Sequence, residues 1–432
     1  MLSSCAASSD KQKTAVESIP LSQDTLEQTP DFSYEVINQT PYILIDKVGY
    51  MPDRKKTVFI LGNDLDSQFS VRHGTTGETV YQGTLQKVGE SGRDNKSIYM
   101  GDFTGLTANG IYEIYQEQVG YSYPFYINKM VYRNVSTLLY DEIESYSFEK
   151  TSDLCYTLSN IMLTNEIYKD TQENKAFLKE QISRLLLQQD EKTGAVCQLL
   201  GDSKNTGEDI SLCATAETAG VLAQYYYNYK DDDFPFAVSC LNASTRAYRY
   251  MEKYRDNINT DSWYFASSQL YRITGQYKYK AAIQEYDEFP EDLRTLSEYD
   301  YTMLADIAYL STTYRADLIR CQKIMDGYME RAQEISEESS KDHYYVMKKI
   351  DTISEKQLLK DMMVLGVVNY VLSGREYAVI QENHIHYFFG VNESAKNRLT
   401  EEYASKISSK QKENGITKIS EFIFVLGNVS QK

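Results

Sequence analysis

The sequence predicts a two-domain protein in which a β-sandwich precedes an all-α domain. Two observations support this fold class. Between Tyr42 and Asn128, β-branched and aromatic runs such as "KKTVFILG" and "GIYEIYQE" alternate with Gly, Asn and Asp at roughly ten-residue spacing, which is typical of a sandwich of about seven strands. After Met130, apolar residues recur at i, i+3, i+4 and i+7, which indicates roughly a dozen helices packed as a bundle, toroid or solenoid.

The N-terminal segment predicts a lipid anchor. In "MLSSCAASSDKQKT", Leu2, Ser3 and Ser4 precede Cys5 as in a bacterial lipobox, in which the cysteine carries the lipid. Residues 6–39 are too polar to bury a core, so we expect a flexible tether there. No later stretch has eighteen uninterrupted apolar residues. The sequence therefore predicts an extracytoplasmic protein on the bacterial cell surface, attached to the membrane through a lipid anchor only.

Composition excludes one class of partner and leaves others open. A net charge of −17 argues against nucleic acid, because phosphate binding needs clustered Lys and Arg. The 38 tyrosines combine an apolar ring with a polar tip, which suits both helical cores and sugar-binding surfaces. The five cysteines after Cys5 form no CxxC pair, and a disulfide between Cys197 and Cys213 is left open. The sequence predicts neither a cofactor nor a metal site.

Several segments occur in the order of one known family. They are "DKVGYMPDRKKTVFI" and "GDFTGLTANGIYEIY" in the sandwich, and "QQDEKTGAVCQLL", "SWYFASSQLYRITGQYKY" and "ENHIHYFFGVN" among the helices. Together they resemble glycoside hydrolase family 9, the cellulase-type enzymes with an immunoglobulin-like domain ahead of an (α/α)6 barrel. After the predicted lipoprotein-type N-terminus and tether at 1–39, the resemblance implies an immunoglobulin-like β-sandwich at 40–129 and a shortened (α/α)6-toroid-like domain at 130–432. It also implies that His384 and His386 in "ENHIHYFFGVN" are structural.

The catalytic segments of the family are only partly present. Family members hydrolyse β-1,4-glucans with inversion, using an aspartate in a GGWhDAGD loop as base and a glutamate in a NEvaI-NaP segment as acid. Here the sandwich runs through "INKMVYRNVSTLLYDEIESYSFEKTSDLC" without that loop, and the sugar-contacting HPHHR block is missing too. The segment "TKISEFIFVLGNV" places Glu421 at the position of the acid, although the Asn-Ala-Pro that should follow it is not reproduced.

The resemblance leaves the base unassigned. Acidic residues that could replace it are Asp141, Glu142, Asp153 and the Glu208-Asp209 pair in "GDSKNTGEDIS", each of which is also explained as a solvated surface charge. For sugar stacking, the matching helices offer four aromatic residues, Tyr225, Tyr226, Tyr227 and Trp263. The alternative is that these rings are core, although three consecutive tyrosines cannot all be buried on one helix.

Two hypotheses follow from these residues. In the first, the chain is a catalytically degenerate relative of the cellulases that binds a polysaccharide, oligosaccharide or partner. In the second, it is an active β-glycan hydrolase with a relocated base. Loss of the base loop and of the HPHHR block favours the first, since removing one of two cooperating carboxylates costs orders of magnitude in rate.

Overall fold

The computed structural model describes residues 40–168, 174–201, 209–255, 260–286, 291–294, 299–347, 355–372, 376–398 and 409–430. The predictions of a lipidated Cys5 and of a tether over residues 6–39 lie outside these residues.

Nine strands form the N-terminal domain. They are β1 (Ile43–Leu44), β2 (Gly49–Tyr50), β3 (Thr57–Gly62), β4 (Gln68–His73), β5 (Thr79–Glu90), β6 (Ser97–Asp102), β7 (Gly110–Gln116), β8 (Gly120–Tyr121) and β9 (Phe125–Ile127). Their order is β1-β3-β6-β5-β4-β7-β9-β2, with β8 beside β7. Strand β5 belongs to both sheets, because its first half pairs with β4 and its second half with β6. The two sheets of the sandwich are joined by this shared strand.

The apolar run at the start of the domain forms two short strands, where the sequence suggested one. Between β1 and β2, the Asp46 carboxylate accepts hydrogen bonds from the backbone N–H groups of Val48 and Gly49 at 2.8 and 2.9 Å. These bonds close a local turn of the kind that Asp side chains favour. The turn ends β1 and lets β2 pair in parallel with β9 in the other sheet.

Strand β3 is buried on both faces and carries the contact between the domains. Val58 and Ile60 point into the sandwich core, whereas Phe59 and Leu61 belong to the large core that includes the helices. This division follows from the two-residue period of a strand. The ring of Phe59 meets that of Tyr344 edge to face at 5.1 Å. The sandwich therefore shares one apolar interface with the helical domain.

Twelve α-helices follow within the described residues. They are α1 (Val131–Ser145), α2 (Thr151–Tyr168), α3 (Lys175–Leu187), α4 (Leu212–Tyr229), α5 (Phe234–Met251), α6 (Thr260–Thr274), α7 (Tyr277–Gln284), α8 (Tyr301–Leu310), α9 (Leu318–Ser339), α10 (Glu355–Val371), α11 (Ala378–Phe388) and α12 (Ser409–Ser430). A 3₁₀ turn, Glu291–Arg294, lies between α7 and α8.

The even-numbered helices form an inner ring. Helix α2 contacts α4, α4 contacts α6, α6 contacts α8, α10 contacts α12 and α12 returns to α2, while α9 touches both α8 and α10. Burial agrees with this arrangement, since 15 of the 18 residues of α2 are buried whereas α1 buries one face only. A helix that is buried all round belongs inside a helical assembly.

The predicted fold class is confirmed as a β-rich N-terminal domain followed by a helical domain. No disulfide joins Cys197 to Cys213 in this structure, so the pairing that the sequence left open does not form. Among the described residues, no helix combines the length and apolar character needed to span a membrane.

Candidate functional site

Glu421 lies at the centre of the candidate site. It is on α12 and only 6% exposed. Its Oε1 atom accepts a 2.6 Å hydrogen bond from the hydroxyl of Tyr156, which lies two turns into α2. The candidate acid is thus held at the seam between the first and last helices of the inner ring.

A pocket opens beside this carboxyl group. It has about 340 Å³ of space between atoms, counting the open solvent at its mouth, and the gap between the side chains is little larger than a water molecule. Its walls come from α2, α10, α12 and the start of α8. The lining residues are Tyr156, Asp300, Met303, Leu304, Lys356, Lys360, Met363 and Glu421. We refer to it below as the Glu421 pocket.

Charged groups in the Glu421 pocket act on the proton of Glu421. Burial raises the pKa of Glu421 to about 7, and the nearby Asp300 carboxylate adds to this increase. The Tyr156 hydrogen bond and the Lys356 and Lys360 ammonium groups oppose it. Because the resulting pKa is near neutrality, Glu421 can hold a proton at neutral pH and act as a hydrogen-bond or proton donor.

Asp300 is the second carboxylate of the Glu421 pocket. It is the residue before the first turn of α8, and its Oδ2 atom lies 2.7 Å from the Nζ atom of Lys360. Lys360 is 7% exposed, so this ion pair is largely buried. The second carboxylate that lines the pocket is therefore engaged by a lysine.

Of the four places considered for a relocated base, one is joined to the aromatic cluster around Glu421. Asp153 is buried on α2, and its Oδ1 atom accepts a 2.7 Å hydrogen bond from the Tyr299 hydroxyl. The Tyr299 ring lies 5.7 Å from the ring of Tyr156, which binds Glu421. Asp153 thus lies one helical turn before Tyr156 and is linked to Glu421 through the two tyrosines.

The remaining base candidates lie elsewhere. Asp141 and Glu142 are exposed on α1. Asp209 is exposed and accepts a 3.0 Å hydrogen bond from the backbone N–H of Leu199. None of these three lines the Glu421 pocket. Glu208 lies outside the described residues.

The four aromatic residues predicted to bind substrate do not line the Glu421 pocket. Tyr225 is buried, while Tyr226 and Tyr227 are half-buried, as three consecutive helical positions require. The Tyr227 ring lies 3.7 Å below the guanidinium of Arg272. Trp263 is buried and stacks on Tyr248 with ring centroids 4.6 Å apart. A sugar-binding role for these four residues stays a prediction.

The two histidines of α11 make structural contacts. The backbone N–H of Met347 donates to Nε2 of His384 at 2.9 Å, and Nδ1 of His384 lies 2.6 Å from the Ile380 carbonyl oxygen. Burial lowers the pKa of His384 to about 4, so the ring is neutral, with Nδ1 donating and Nε2 accepting. Both ring nitrogens of His384 are thus engaged in protein hydrogen bonds.

His386 connects α11 to the sandwich. Its Nδ1 atom lies 2.8 Å from Oδ2 of Asp46, and its ring lies 4.8 Å from the ring of Tyr50. Nearby, the backbone N–H of Lys47 donates to the Phe389 carbonyl at 3.0 Å. In the described part of the chain, no group of three or more His, Cys, Asp or Glu side chains is arranged to hold a metal ion.

Sequence reasoning missed Asp300, Lys356 and Lys360. In the sequence they resemble solvated charges beside helix ends, in "SEYDYTML" and "SEKQLLKD". The signal that could have found them is their position at the start of two helices whose following residues are apolar on all sides, as expected for an inner ring. In a ring of parallel inner helices, the residues at one set of helix ends meet around a common opening.

Two sequence models match the chain. The model described as the cellulase N-terminal Ig-like domain matches residues 38–121, and the glycosyl hydrolase family 9 model matches residues 145–402, more than half of the chain. Glu421 lies beyond the second match. No curated protein matches the chain.

Solved structures of similar fold extend this result. A metagenome-derived glycoside hydrolase family 9 endoglucanase is 17% identical, with a TM-score of 0.71, covering 90% of this chain and 99% of its own. A Bacteroides ovatus GH9 protein is 13% identical, with a TM-score of 0.70 and the same coverage. AaCel9A in complex with cellobiose-like isofagomine is 16% identical, with a TM-score of 0.71, covering 90% of this chain and 100% of its own. These identities support the fold alone, and together with the family model they confirm the resemblance: the chain belongs to glycosyl hydrolase family 9.

Proposed function

We propose that this family 9 protein is catalytically degenerate and binds a polysaccharide or oligosaccharide of the β-glucan type, or a protein partner, at the bacterial cell surface. One observation carries the proposal. Glu421 is a buried carboxyl group that accepts a hydrogen bond from Tyr156, but the carboxylate beside it, Asp300, is engaged by Lys360 at 2.7 Å. An inverting hydrolase needs a second carboxylate that is available to activate water on the opposite face of the sugar.

Two further features support loss of hydrolysis. The residues between β9 and α2 contain no GGWhDAGD segment, so the loop that supplies the base in the family has no counterpart there. The Glu421 pocket is also narrow, and the Tyr156 hydroxyl already donates to the carboxyl group that would have to reach a glycosidic oxygen. Proton donation to a leaving group requires hydrogen-bond contact between the two atoms.

A sugar-type ligand is supported by the family relationship. The similar structure of AaCel9A was determined with cellobiose-like isofagomine, and family members act on β-glucans. Surface anchoring is supported by Leu2-Ser3-Ser4-Cys5 and by the polar stretch after it. Mass spectrometry of the purified protein tests the anchor, with diacylglycerol expected on Cys5. A Cys5→Ala chain is expected to leave the membrane fraction, and its retention there would contradict the anchor.

A second candidate function is an active, divergent β-glycan hydrolase. The observation that favours it is that Glu421 and Asp300 line the same pocket, with the pKa of Glu421 raised to about 7 by burial. Glu421 would act as the general acid, and Asp300 would act as the relocated base once a substrate displaced Lys360. Asp153 is a further buried carboxylate, linked to the aromatic cluster through Tyr299.

One experiment separates the two functions. The purified chain is incubated with β-glucans, xylans, mannans and cello-oligosaccharides, and both released reducing ends and binding heats are measured. We expect binding without turnover. Turnover that disappears in Glu421→Gln and Asp300→Asn, but persists in the exposed control Glu142→Gln, would establish the hydrolase instead. Silence in both measurements would contradict a glycan ligand and leave a protein partner.

A further inference from the structure

The helical domain has two ends, and the Glu421 pocket opens at one of them. Asp300, which lines the pocket, directly precedes α8. Near the starts of α6 and α8, the rings of Phe265 and Tyr301 lie 5.0 Å apart. Near the ends of the same helices, the rings of Tyr271 and Tyr309 lie 6.2 Å apart. The two helices are therefore parallel, and their C-terminal ends point away from the pocket.

The other inner helices share this direction. Lys356, in the first turn of α10, lines the pocket, so the C-terminal end of α10 lies away from it. Close to the end of α6, Arg272 pairs with Glu166 near the end of α2 at 2.8 Å. Its guanidinium also lies 3.7 Å from the ring centre of Tyr227, near the end of α4. The C-terminal ends of these helices thus meet opposite the pocket, at what we call the far end.

The far end exposes large apolar side chains. Leu318 and Ile319, the first two residues of α9, are 81% and 83% exposed, and Tyr277, the first residue of α7, is 76% exposed. Tyr314, which follows α8, is exposed as well. Other exposed apolar residues beside the ends of inner helices are Phe234, Tyr370, Val371 and Leu372. Apolar side chains concentrated on one face of a protein mark an interaction surface.

The start of α9 lies alongside α7. The Nζ atom of Lys280 donates to the Arg315 carbonyl at 2.8 Å, and the guanidinium of Arg320 donates to the Tyr286 carbonyl at 3.0 Å. These two bonds hold residues 315–320 next to the helix that Tyr277 begins.

Tyr314 lies beside the start of the same helix. Its hydroxyl donates to the Ile273 carbonyl at 3.1 Å, and its ring packs on Gly275, where a Cβ atom would lie 2.4 Å from the ring. Tyr277 is two residues further along the chain. The exposed side chains of Tyr277, Tyr314, Leu318 and Ile319 are therefore neighbours, and we refer to them as the far-end patch.

The far-end patch is bordered by positive charge in a protein whose net charge is −17. Residues 314–323 contain three basic side chains and one acidic side chain, and residues 277–285 contain two basic and one acidic. Arg315 is exposed between Tyr314 and Leu318. Exposed aliphatic and tyrosine side chains next to basic residues are typical of surfaces that lie on anionic lipid headgroups.

From this arrangement we infer that the far-end patch docks on the surface of a membrane that contains anionic lipids. Leu318 and Ile319 enter the bilayer below the headgroups, the rings of Tyr277 and Tyr314 lie at headgroup level, and Arg315 faces the phosphates. A glucan stacks on aromatic rings, which does not account for two adjacent exposed aliphatic side chains. The bound orientation directs the Glu421 pocket away from the bilayer, toward a ligand outside the cell.

This inference goes beyond the proposed function and uses only its location at the cell surface. It adds a direct contact to the lipid anchor that the sequence predicts. Residues 5–40 can span at most about 120 Å, so an anchor at Cys5 allows the far end to reach the same bilayer.

Vesicle co-sedimentation tests the inference. The full chain carrying Cys5→Ser, which removes the lipidation position, is mixed with vesicles of phosphatidylcholine, with and without phosphatidylglycerol. We expect binding to be tighter with phosphatidylglycerol. Leu318→Ser combined with Ile319→Ser should lower the partition coefficient about tenfold on both vesicle types, because less apolar surface leaves water. Arg315→Gln should lower it about fivefold, and only on the anionic vesicles.

Matched control variants remove similar side chains elsewhere. Val80 on β5 and Leu199 are exposed apolar residues, and Leu199 pairs with Lys150 beside the start of α2, at the pocket end. Val80→Ser combined with Leu199→Ser should leave the partition coefficient unchanged. Equal losses in the two double variants would overturn the inference, because the apolar contribution would then not belong to the far-end patch. Circular dichroism of each variant excludes a loss of fold.

The remaining outcomes separate this inference from other occupants and from the proposed function. No binding to either vesicle type overturns it. Light scattering that shows a dimer dissociated by the Leu318 and Ile319 substitutions, without vesicle binding, would assign the patch to a second copy of the chain. Loss of glycan binding in the same variant would assign it to the glycan. If vesicles bind and no glycan of the panel does, the proposed glycan binding fails and the membrane contact stands.

Discussion

Tyr156 and Glu421 are 265 positions apart in the chain, and the Tyr156 hydroxyl donates a 2.6 Å hydrogen bond to Oε1 of Glu421. This bond joins α2 to α12 and closes the inner ring through a polar contact. It also opposes the effect of burial, because a hydrogen bond to the ionised carboxylate lowers the pKa of Glu421. One hydroxyl group thus contributes both to ring closure and to the protonation state of the site.

Tyr156→Phe is expected to raise the pKa of Glu421 above about 7, because the stabilising hydrogen bond to its ionised form is lost. It should also lower the free energy of unfolding by about 1–3 kcal/mol, since a buried acceptor is left unpaired. An infrared titration of the carboxyl band, referenced to Glu421→Gln, measures the pKa. The matched control is Tyr301→Phe. The buried hydroxyl of Tyr301 has no hydrogen-bond partner among the described residues, so removing it should leave the free energy of unfolding nearly unchanged. Equal effects of the two variants would contradict the prediction.

Glu421 is expected to make the protein less stable as the pH rises from about 4 to 7. Its folded pKa of about 7 is above that of an unfolded glutamate, so the folded state holds the proton more strongly, and this stabilisation is present at low pH and lost as the pH passes through 7. The full effect is at most about 3 kcal/mol.

Denaturant unfolding at pH 5 and pH 8 checks this prediction. Glu421→Gln should be close to the wild type at pH 5 and more stable than it at pH 8. Asp306 is also buried, and its pKa is raised to about 7, so it too should lower the free energy of unfolding as the pH rises. Asp306→Asn therefore provides an independent comparison with Glu421→Gln. If the difference in unfolding free energy between the wild type and Glu421→Gln did not depend on pH, the raised pKa of Glu421 would be refuted.

His384 is expected to limit stability on the acid side. Its folded pKa of about 4 is below that of an unfolded histidine. Its contribution to the free energy of unfolding is therefore complete above pH 6.5 and is lost as the pH falls toward 4. The loss amounts to as much as about 3 kcal/mol. In His384→Gln the side chain can still accept from Met347 and donate to Ile380, but it does not titrate. Thermal unfolding from pH 7 to pH 4 should therefore decline less steeply than in the wild type. His73→Gln, at a half-buried position on β4, should follow the wild-type curve.

Asp46→Asn is expected to weaken the contact between the sandwich and α11. The asparagine can still accept from Val48 and Gly49, but its amide group replaces the carboxylate oxygen that meets His386 at 2.8 Å. Losing a buried, charge-assisted contact should cost about 2–4 kcal/mol of unfolding free energy. The exposed Asp66→Asn serves as the control, and a melting temperature equal to the control's would show that the contact is dispensable.

The sequence was sufficient for the fold because periodicity reports local structure directly. The two-residue and 3.6-residue periods, with turn residues between them, defined a sandwich and then helices. The break between β1 and β2 at Asp46 was missed because it depends on a side chain that closes a turn. Glu421 was predicted from one short segment, and its role stays a prediction, whereas Asp300 and Lys356 were not identified from the sequence. Their role depends on which helix ends meet in space, and this is determined by how all the helices of the ring pack together.

The double-sided burial of β3 has a consequence for how this protein can be divided. Phe59 and Leu61 form part of the same apolar core as the helices, so removing the sandwich would uncover that surface on the remaining fragment. The two domains are then a single thermodynamic unit even though two separate family models match them. A truncated helical fragment would aggregate, and any surface display, crystallisation or engineering of the helical half has to carry the sandwich with it.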